Sequence, residues 1–221
     1  MNSLHVALSP AVTVAGWLLI VPLAAYSLRC ALAATPLRGA QQHLWLAAIV
    51  LLAWLWTLQA RFAGSAAFGL LGVAFVALTF GRHWARLGLL GALALHTWLG
   101  GGSWTNFGIN GLLLAALPTL LADVLQRQIE LRLPRNLFVF IIGNGLFVTL
   151  AVTAAISSLF VGASWLTAPG SASIDQIAYA LLLAWGEALA SGMLFSSLVI
   201  FCPRLVLTYR QDLYLPPWRG R

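Results

Sequence analysis

The sequence predicts an all-α integral membrane protein, a bundle of about seven transmembrane helices with its N-terminus outside and its C-terminus in the cytoplasm. Two observations predict this fold class. Of the 221 residues, 61% are hydrophobic and 8% are charged, whereas about a quarter of the residues of a soluble domain are charged. The apolar residues also form long uncharged runs, which suit the roughly 20 residues that a helix needs to cross a bilayer.

The breaks between these runs give the helix boundaries. The fourth and fifth helices share one long run and are separated by the turn Gly100–Ser103, and Pro118 is expected to kink the fifth. The polar segment Asp123–Arg135 is expected to be a surface loop or an interfacial helix. We predict a single transmembrane domain over residues 1–203 and a basic cytoplasmic tail over residues 204–221. The predicted helices are Leu8–Leu28, Gly39–Ala60, Phe62–Gly81, two within Leu87–Ala122, Leu137–Ala163 and Gln176–Phe201.

The arginines predict the orientation. All twelve basic residues are arginines, and the net charge is +7. With seven spans, every arginine except Arg61 falls on one side of the membrane, and positively charged loops face the cytoplasm. The charge therefore indicates contact with anionic lipid and not with nucleic acid. We expect a multi-pass protein of the inner (plasma) membrane.

Glu187 is the only ionisable residue inside the seventh predicted helix. A carboxylate at the bilayer centre costs at least about 2.5 kcal/mol and is usually retained for a function. The small residues that flank it, among them Gly186 and Gly192, allow a neighbouring helix to approach closely, so we expect Glu187 to face the bundle. Two roles stay open: part of a substrate pathway, or a hydrogen bond that ties two helices together.

The histidines are the candidate metal ligands. His43 and His83 lie at predicted cytoplasmic helix ends, where an interfacial role is more common than metal binding. His5 and His96 fall on the outer side and are the only pair of strong metal donors that share it, with Asn110 as a further polar residue. Two imidazoles alone make a poor site for a divalent ion. An ordinary polar role in the outer leaflet is the alternative.

Catalytic constellations are missing from the sequence. Glu187 has no second acid at its depth, so general acid–base chemistry by two carboxylates is not predicted. No histidine follows the serine of Gly162–Trp165, and the chain has no lysine for a phosphate-binding loop. We do not predict an enzyme, and any ATP hydrolysis would belong to a partner.

Four stretches in this order make the chain resemble a known family, the membrane permease of cobalt and nickel energy-coupling factor (ECF) transporters, which is the substrate-binding subunit of cobalamin-linked cobalt uptake. The resemblance implies Co²⁺ or Ni²⁺ as substrate, no permanently bound cofactor, and a complex with a second membrane subunit and a pair of cytoplasmic ATPases. The stretches are Leu4–Pro10, Gly64-Ser65 with Leu70-Leu71-Gly72, Gly108-Ile109-Asn110-Gly111, and Glu187-Ala188-Leu189 with Gly192.

Two positions depart from the pattern of this family. Members begin Met-His, so that the terminal amine, the amide nitrogen of the second residue and its imidazole all bind the metal, whereas here the histidine is His5. The family also has a histidine just before the Leu-Leu-Gly of the third helix, where this chain has Gly69. A start at Leu4, read as methionine, would restore Met-His. We expect weak metal binding that depends on His5 and His96.

Two functions from different classes are therefore predicted. The first is a transporter subunit that captures a divalent transition metal and depends on partner ATPases. The second is a structural or regulatory membrane protein that keeps the fold and has lost the metal site. The metal content of the purified protein distinguishes them.

Overall fold

The computed structural model describes residues 9–34, 36–58, 60–61, 67–68, 71–134, 136–167 and 174–209. These residues are almost entirely helical, with one antiparallel pair of two-residue strands in which Ala60 lies opposite Phe68. Three π-helical stretches occur, at Thr97–Gly101, Leu112–Ala116 and Ile141–Val148. The elements are α1 (Pro10–Ala34), α2 (Ala40–Leu55), β1 (Ala60–Arg61), β2 (Ala67–Phe68), α3 (Val73–His96), α4 (Phe107–Gly111), α5 (Leu117–Arg132), α6 (Leu137–Phe140), α7 (Thr149–Thr167) and α8 (Ile174–Phe201).

Four helices in the described residues are long and apolar enough to cross a membrane, and α2 is a shorter apolar helix. The spanning helices are α1, the continuous rod from α4 through α5, the rod from α6 into α7, and α8. The last two confirm the predicted sixth and seventh helices. The predicted total of seven spans and the orientation of the termini stay predictions.

The predicted third helix, Phe62–Gly81, is wrong in its first half. Ala67 and Phe68 form a strand, and the helix begins only at Val73, after Gly72 with its left-handed backbone (φ 64°). It then breaks at Gly81, where φ is 71°. The helical part that precedes the break is about 12 Å long, too short to cross a bilayer.

The fourth predicted helix begins earlier than expected and the fifth continues further. The fourth starts directly after the break at Gly81, which places Arg86 inside a helix and not in a loop. The predicted turn at Gly100–Ser103 is confirmed, because the π-helical stretch ends at Gly101. Beyond Pro118 the chain stays helical to Arg132, so the loop alternative for Asp123–Arg135 is wrong.

Pro118 lies two residues after the end of the π-helical stretch Leu112–Ala116. Proline lacks the amide hydrogen that would bond the carbonyl four residues earlier, and its ring crowds that carbonyl. A π-helical turn widens the helix at this point, which is a recognised way of accommodating such an interruption. The kink expected at Pro118 thus takes the form of a widened turn in a continuous rod.

Glycine contacts set the closest helix packing. A Cβ atom on Gly108 would lie 2.5 Å from the carbonyl carbon of Gly16, so α4 and α1 touch backbone to backbone. Gly145 and Gly192 make a similar but looser contact between the rod of α6 and α7 and helix α8, with 3.3 Å from the Cβ position of Gly192 to the carbonyl oxygen of Gly145. Small residues at helix crossings allow this close approach in membrane proteins.

The segment after α8 folds back onto the break in α3. The backbone N–H of Leu207 donates to the carbonyl of Thr79 at 2.7 Å, and the hydroxyl of Thr208 donates to the carbonyl of Leu78. These carbonyls belong to the last turn before Gly81, where no helical N–H follows to bind them. The segment therefore caps the end of this half-helix.

Candidate functional site

The carboxylate of Glu187 lies at the middle of α8 and is 2% exposed. Its Oε2 accepts a hydrogen bond from the backbone N–H of Leu71 at 2.8 Å, and its Oε1 accepts one from the backbone N–H of Gly72, also at 2.8 Å. The hydroxyl of Thr153 on α7 donates to Oε1 at 3.2 Å. One side chain thus joins α8, α7 and the start of α3.

The acceptor matches its donors electrostatically. Gly72 is the residue that caps α3, and the N–H groups at the start of a helix carry the positive end of the helix dipole. A carboxylate from another helix satisfies these groups, and charge-assisted hydrogen bonds offset part of the cost of burying it. Glu187 faces the bundle as predicted, although Gly186 beside it has open space and takes no part in close packing.

These contacts support the role in which Glu187 ties helices together by hydrogen bonds. The prediction was a bond between two helices, whereas Glu187 joins three elements, because it also binds the backbone that precedes α3. A role for Glu187 in a substrate pathway stays a prediction.

The indole of Trp56 holds the same segment from the other side. Its Nε1 donates to the carbonyl oxygen of Leu71 at 2.9 Å, and its side chain is fully buried. The imidazole of His96 packs edge-on against Trp56, with ring centroids 6.1 Å apart. On its other side a Cβ atom at Gly101 would lie 2.2 Å from Cε1 of the imidazole, so the chain passes directly over the ring.

Only some of the residues considered for the metal site lie in the part of the chain that the structure describes. His5 and Gly69 lie outside the described residues. His96 is 1% exposed, and Asn110 on α4 is equally buried. Among the residues that the structure describes, no group of three or more histidine, cysteine or acidic side chains is close enough to hold a metal ion. Glu187 and Trp56 instead bind Leu71 and Gly72, and the ring of His96 packs against Trp56.

Arg86 was expected at a loop and is instead 2% exposed. Its Nη1 donates to the hydroxyl of Ser27 at 2.8 Å and its Nε to the hydroxyl of Thr119 at 3.3 Å, which joins α1, α3 and α5. Its Nη2 has no hydrogen-bond partner among the described residues. Sequence reasoning missed this because an arginine between two apolar runs is usually a loop residue.

A buried polar stripe on the sixth predicted helix was also missed. Asn144, Thr149 and Thr153 are fully buried and follow one another at spacings of about one helical turn. The stripe crosses the π-helical stretch, whose extra residue per turn keeps Asn144 on the face of the two threonines. Thr153 binds Glu187, whereas the Asn144 amide and the Thr149 hydroxyl have no partner among the described residues.

Comparison with known families gives one finding. A family model described as "CbiM: cobalt uptake substrate-specific transmembrane region" matches residues 5–205. Searches against curated proteins and against solved structures give no match for this chain. The matched range begins at His5 and includes Asn110, Glu187 and the turn that follows α8.

Proposed function

Because the chain belongs to the CbiM family of cobalt uptake substrate-specific transmembrane regions, we propose that it is the substrate-capture subunit of an ECF transporter for cobalt or nickel. The protein is a multi-pass membrane component of cobalt uptake, and its family is one of transporter components, not of enzymes. ATP hydrolysis would come from cytoplasmic partner subunits, joined by a second membrane subunit. The alternative, a structural or regulatory protein without a metal site, has no specific observation in its favour.

The family match over residues 5–205 carries this proposal. The geometry around Leu71 and Gly72 supports it, since Glu187 on α8 and Trp56 after α2 both bind these two non-helical residues directly before α3. Non-helical backbone is tolerated at membrane depth only where protein or a water-filled cavity surrounds it. A segment held in this way is a suitable rigid wall for a metal site.

The proposed ligands for the metal substrate are His5 and His96. Imidazole nitrogens suit both cobalt and nickel, but about four donors are needed, and their geometry selects the ion. Asn110 and Glu187 are proposed to line the substrate pathway or to support helix packing. Because the donor set is short of the family's, the expected affinity is weak.

Metal binding by the purified full-length protein tests the proposal. Cobalt and nickel bound per chain are measured by mass spectrometry of the metals after equilibrium dialysis. His5→Ala and His96→Gln should each abolish binding, while His43→Ala, which removes an imidazole at the start of α2, should not. Thermal unfolding of each variant separates loss of the site from loss of the fold. Tight stoichiometric binding that survives both replacements would contradict this ligand assignment.

We also propose an inner-membrane protein with an outside N-terminus and a cytoplasmic C-terminus, in which the third of seven crossings combines the half-helix at residues 73–80 with the strand-containing chain before it. The contacts of the described arginines support the underlying charge asymmetry. Arg82 and Arg127 both form ion pairs with Asp123, at 3.3 and 3.2 Å. The side-chain amide of Gln41 donates to the carbonyl of Arg204, in the turn that follows α8. A C-terminal alkaline phosphatase fusion should be inactive and a C-terminal green fluorescent protein fusion bright. The reverse result would overturn the orientation.

A further inference from the structure

A groove of about 480 Å³ opens where α1 ends, α2 begins and the chain leaves α8. Two arginines, Arg38 and Arg204, line it together with Gln41 and the apolar side chains of Val206 and Leu207. Both arginines are exposed. The volume falls in the range of about 300–1,000 Å³ that is usual for sites that bind small molecules.

A single side chain bonds the backbone of both arginines. The Oε1 atom of Gln41 accepts a hydrogen bond from the backbone N–H of Arg38 at 3.3 Å, and its Nε2 donates to the carbonyl of Arg204 at 2.8 Å. Leu207, which also lines the groove, donates its backbone N–H to the carbonyl of Thr79 on α3. The groove is therefore built from segments that are tied to one another and to the bundle.

Within the described residues, no acidic side chain pairs with the positive charge of the groove. The ion pairs in the described part of the chain both use Asp123, and neither includes Arg38 or Arg204. Two guanidinium groups that line one groove complement an anion, and arginine is especially suited to phosphate because its planar fork donates two parallel hydrogen bonds.

The surface beside the groove indicates which anion fits. Leu32, in the last turns of α1, is 57% exposed, and Phe201, at the end of α8, is 81% exposed. Both helices are long and apolar enough to span the membrane, and their ends, at Ala34 and just before Pro203, lead into the groove. A ligand that suits both surfaces has a phosphate at one end and hydrocarbon at the other.

We propose that this groove binds the headgroup of an anionic phospholipid, with Arg38 and Arg204 on the phosphate and the acyl chains along the ends of α1 and α8. Basic pockets between transmembrane helices recognise lipid headgroups in this way. Gln41 joins the backbone of Arg38 to that of Arg204 and so keeps the two segments of the groove together. The inference does not depend on the metal that the protein carries or on the orientation of the chain.

The test uses purified full-length protein in detergent, titrated with phosphatidylglycerol, with phosphatidylcholine of the same acyl chains, or with inorganic phosphate. Binding is followed by native mass spectrometry and by the rise in melting temperature. Phosphatidylglycerol should bind and stabilise, and the other two should not. Arg38→Gln and Arg204→Gln should each weaken phosphatidylglycerol binding about fivefold. Arg132→Gln, which removes the same charge at the end of α5, should leave it unchanged.

Several outcomes would overturn the proposal. Equal binding of the two lipids would show that the groove does not distinguish headgroups by their charge. If Arg38→Gln and Arg132→Gln weaken phosphatidylglycerol binding equally, the effect comes from the net charge of the protein and not from the groove. Binding of inorganic phosphate as tight as that of the lipid would show a site for a soluble anion. If the arginine variants keep lipid binding but lose co-purification of partner subunits, the groove belongs to a protein partner.

Discussion

Replacement of Glu187 gives the sharpest test of how the bundle is held together. In Glu187→Gln the amide oxygen can take the place of Oε1 and keep the bonds from Gly72 and Thr153, but the amide nitrogen then faces the N–H of Leu71 and cannot accept from it. In Glu187→Leu both backbone donors lose their acceptor. The Thr153 hydroxyl can turn to a carbonyl of its own helix, so it adds little to the cost.

The magnitudes follow from the number of buried donors left unpaired. Each one costs about 1–3 kcal/mol, so the glutamine variant should lose about 1–3 kcal/mol and the leucine variant about 2–6 kcal/mol of unfolding free energy. For a chain of this size, 1 kcal/mol corresponds to roughly 2–4 °C in melting temperature. The expected decreases are therefore about 2–12 °C for glutamine and about 4–24 °C for leucine.

The assay is thermal unfolding in detergent at one fixed scan rate, followed by the fluorescence of the tryptophans, together with cobalt uptake in cells that contain the partner subunits. Leu189→Ala on the same helix is the matched control, since Leu189 is exposed and its truncation should change stability by no more than about 0.5 kcal/mol. If Glu187→Leu melts with the control, Glu187 does not cap α3 and this reasoning is refuted. Loss of uptake in a glutamine variant of unchanged stability would instead support a transport role.

Three further predictions use the same unfolding assay. Gly108→Ala should lower the unfolding free energy by about 1–3 kcal/mol, because its Cβ would overlap the backbone of Gly16. Gly186→Ala, whose Cβ meets open space, should be neutral. Equal effects of the two substitutions would contradict the close crossing of α4 and α1. Arg86→Met should be neutral or stabilising, since it removes a buried charge that has no carboxylate partner among the described residues, and a loss above about 3 kcal/mol would reveal an acid paired with it. Asn144→Leu should raise stability by about 1–2 kcal/mol because it removes a buried amide that has no partner among the described residues, and a decrease would show that this amide is hydrogen-bonded.

The helices that span the membrane were largely predictable. Long uncharged runs have few alternatives in a bilayer, because every backbone polar group there must be bonded within the segment. The helix around Glu187 was predicted over Gln176–Phe201 and is observed over Ile174–Phe201. The family was also recognisable from short motifs, and the family match confirms it.

The segment that holds the candidate site could not be predicted in the same way. Residues before Val73 are as apolar as a spanning helix, yet the N–H groups of Leu71 and Gly72 are bonded to Glu187, more than a hundred residues away in the chain. Local propensity and hydropathy do not report such a distant acceptor. The same limit explains Arg86, whose burial depends on hydroxyl groups from two other helices.

The sequence by itself indicated a multi-pass membrane protein, helices that the structure also has, such as the one around Glu187, and the family. These properties depend on composition and on residues close together in the chain. Only the tertiary structure decided where the helical pattern stops, which ionisable groups are buried, and that Arg38 and Arg204 line one groove. The physical reason is that a buried polar group is stable only with a partner, and that partner often comes from a distant helix.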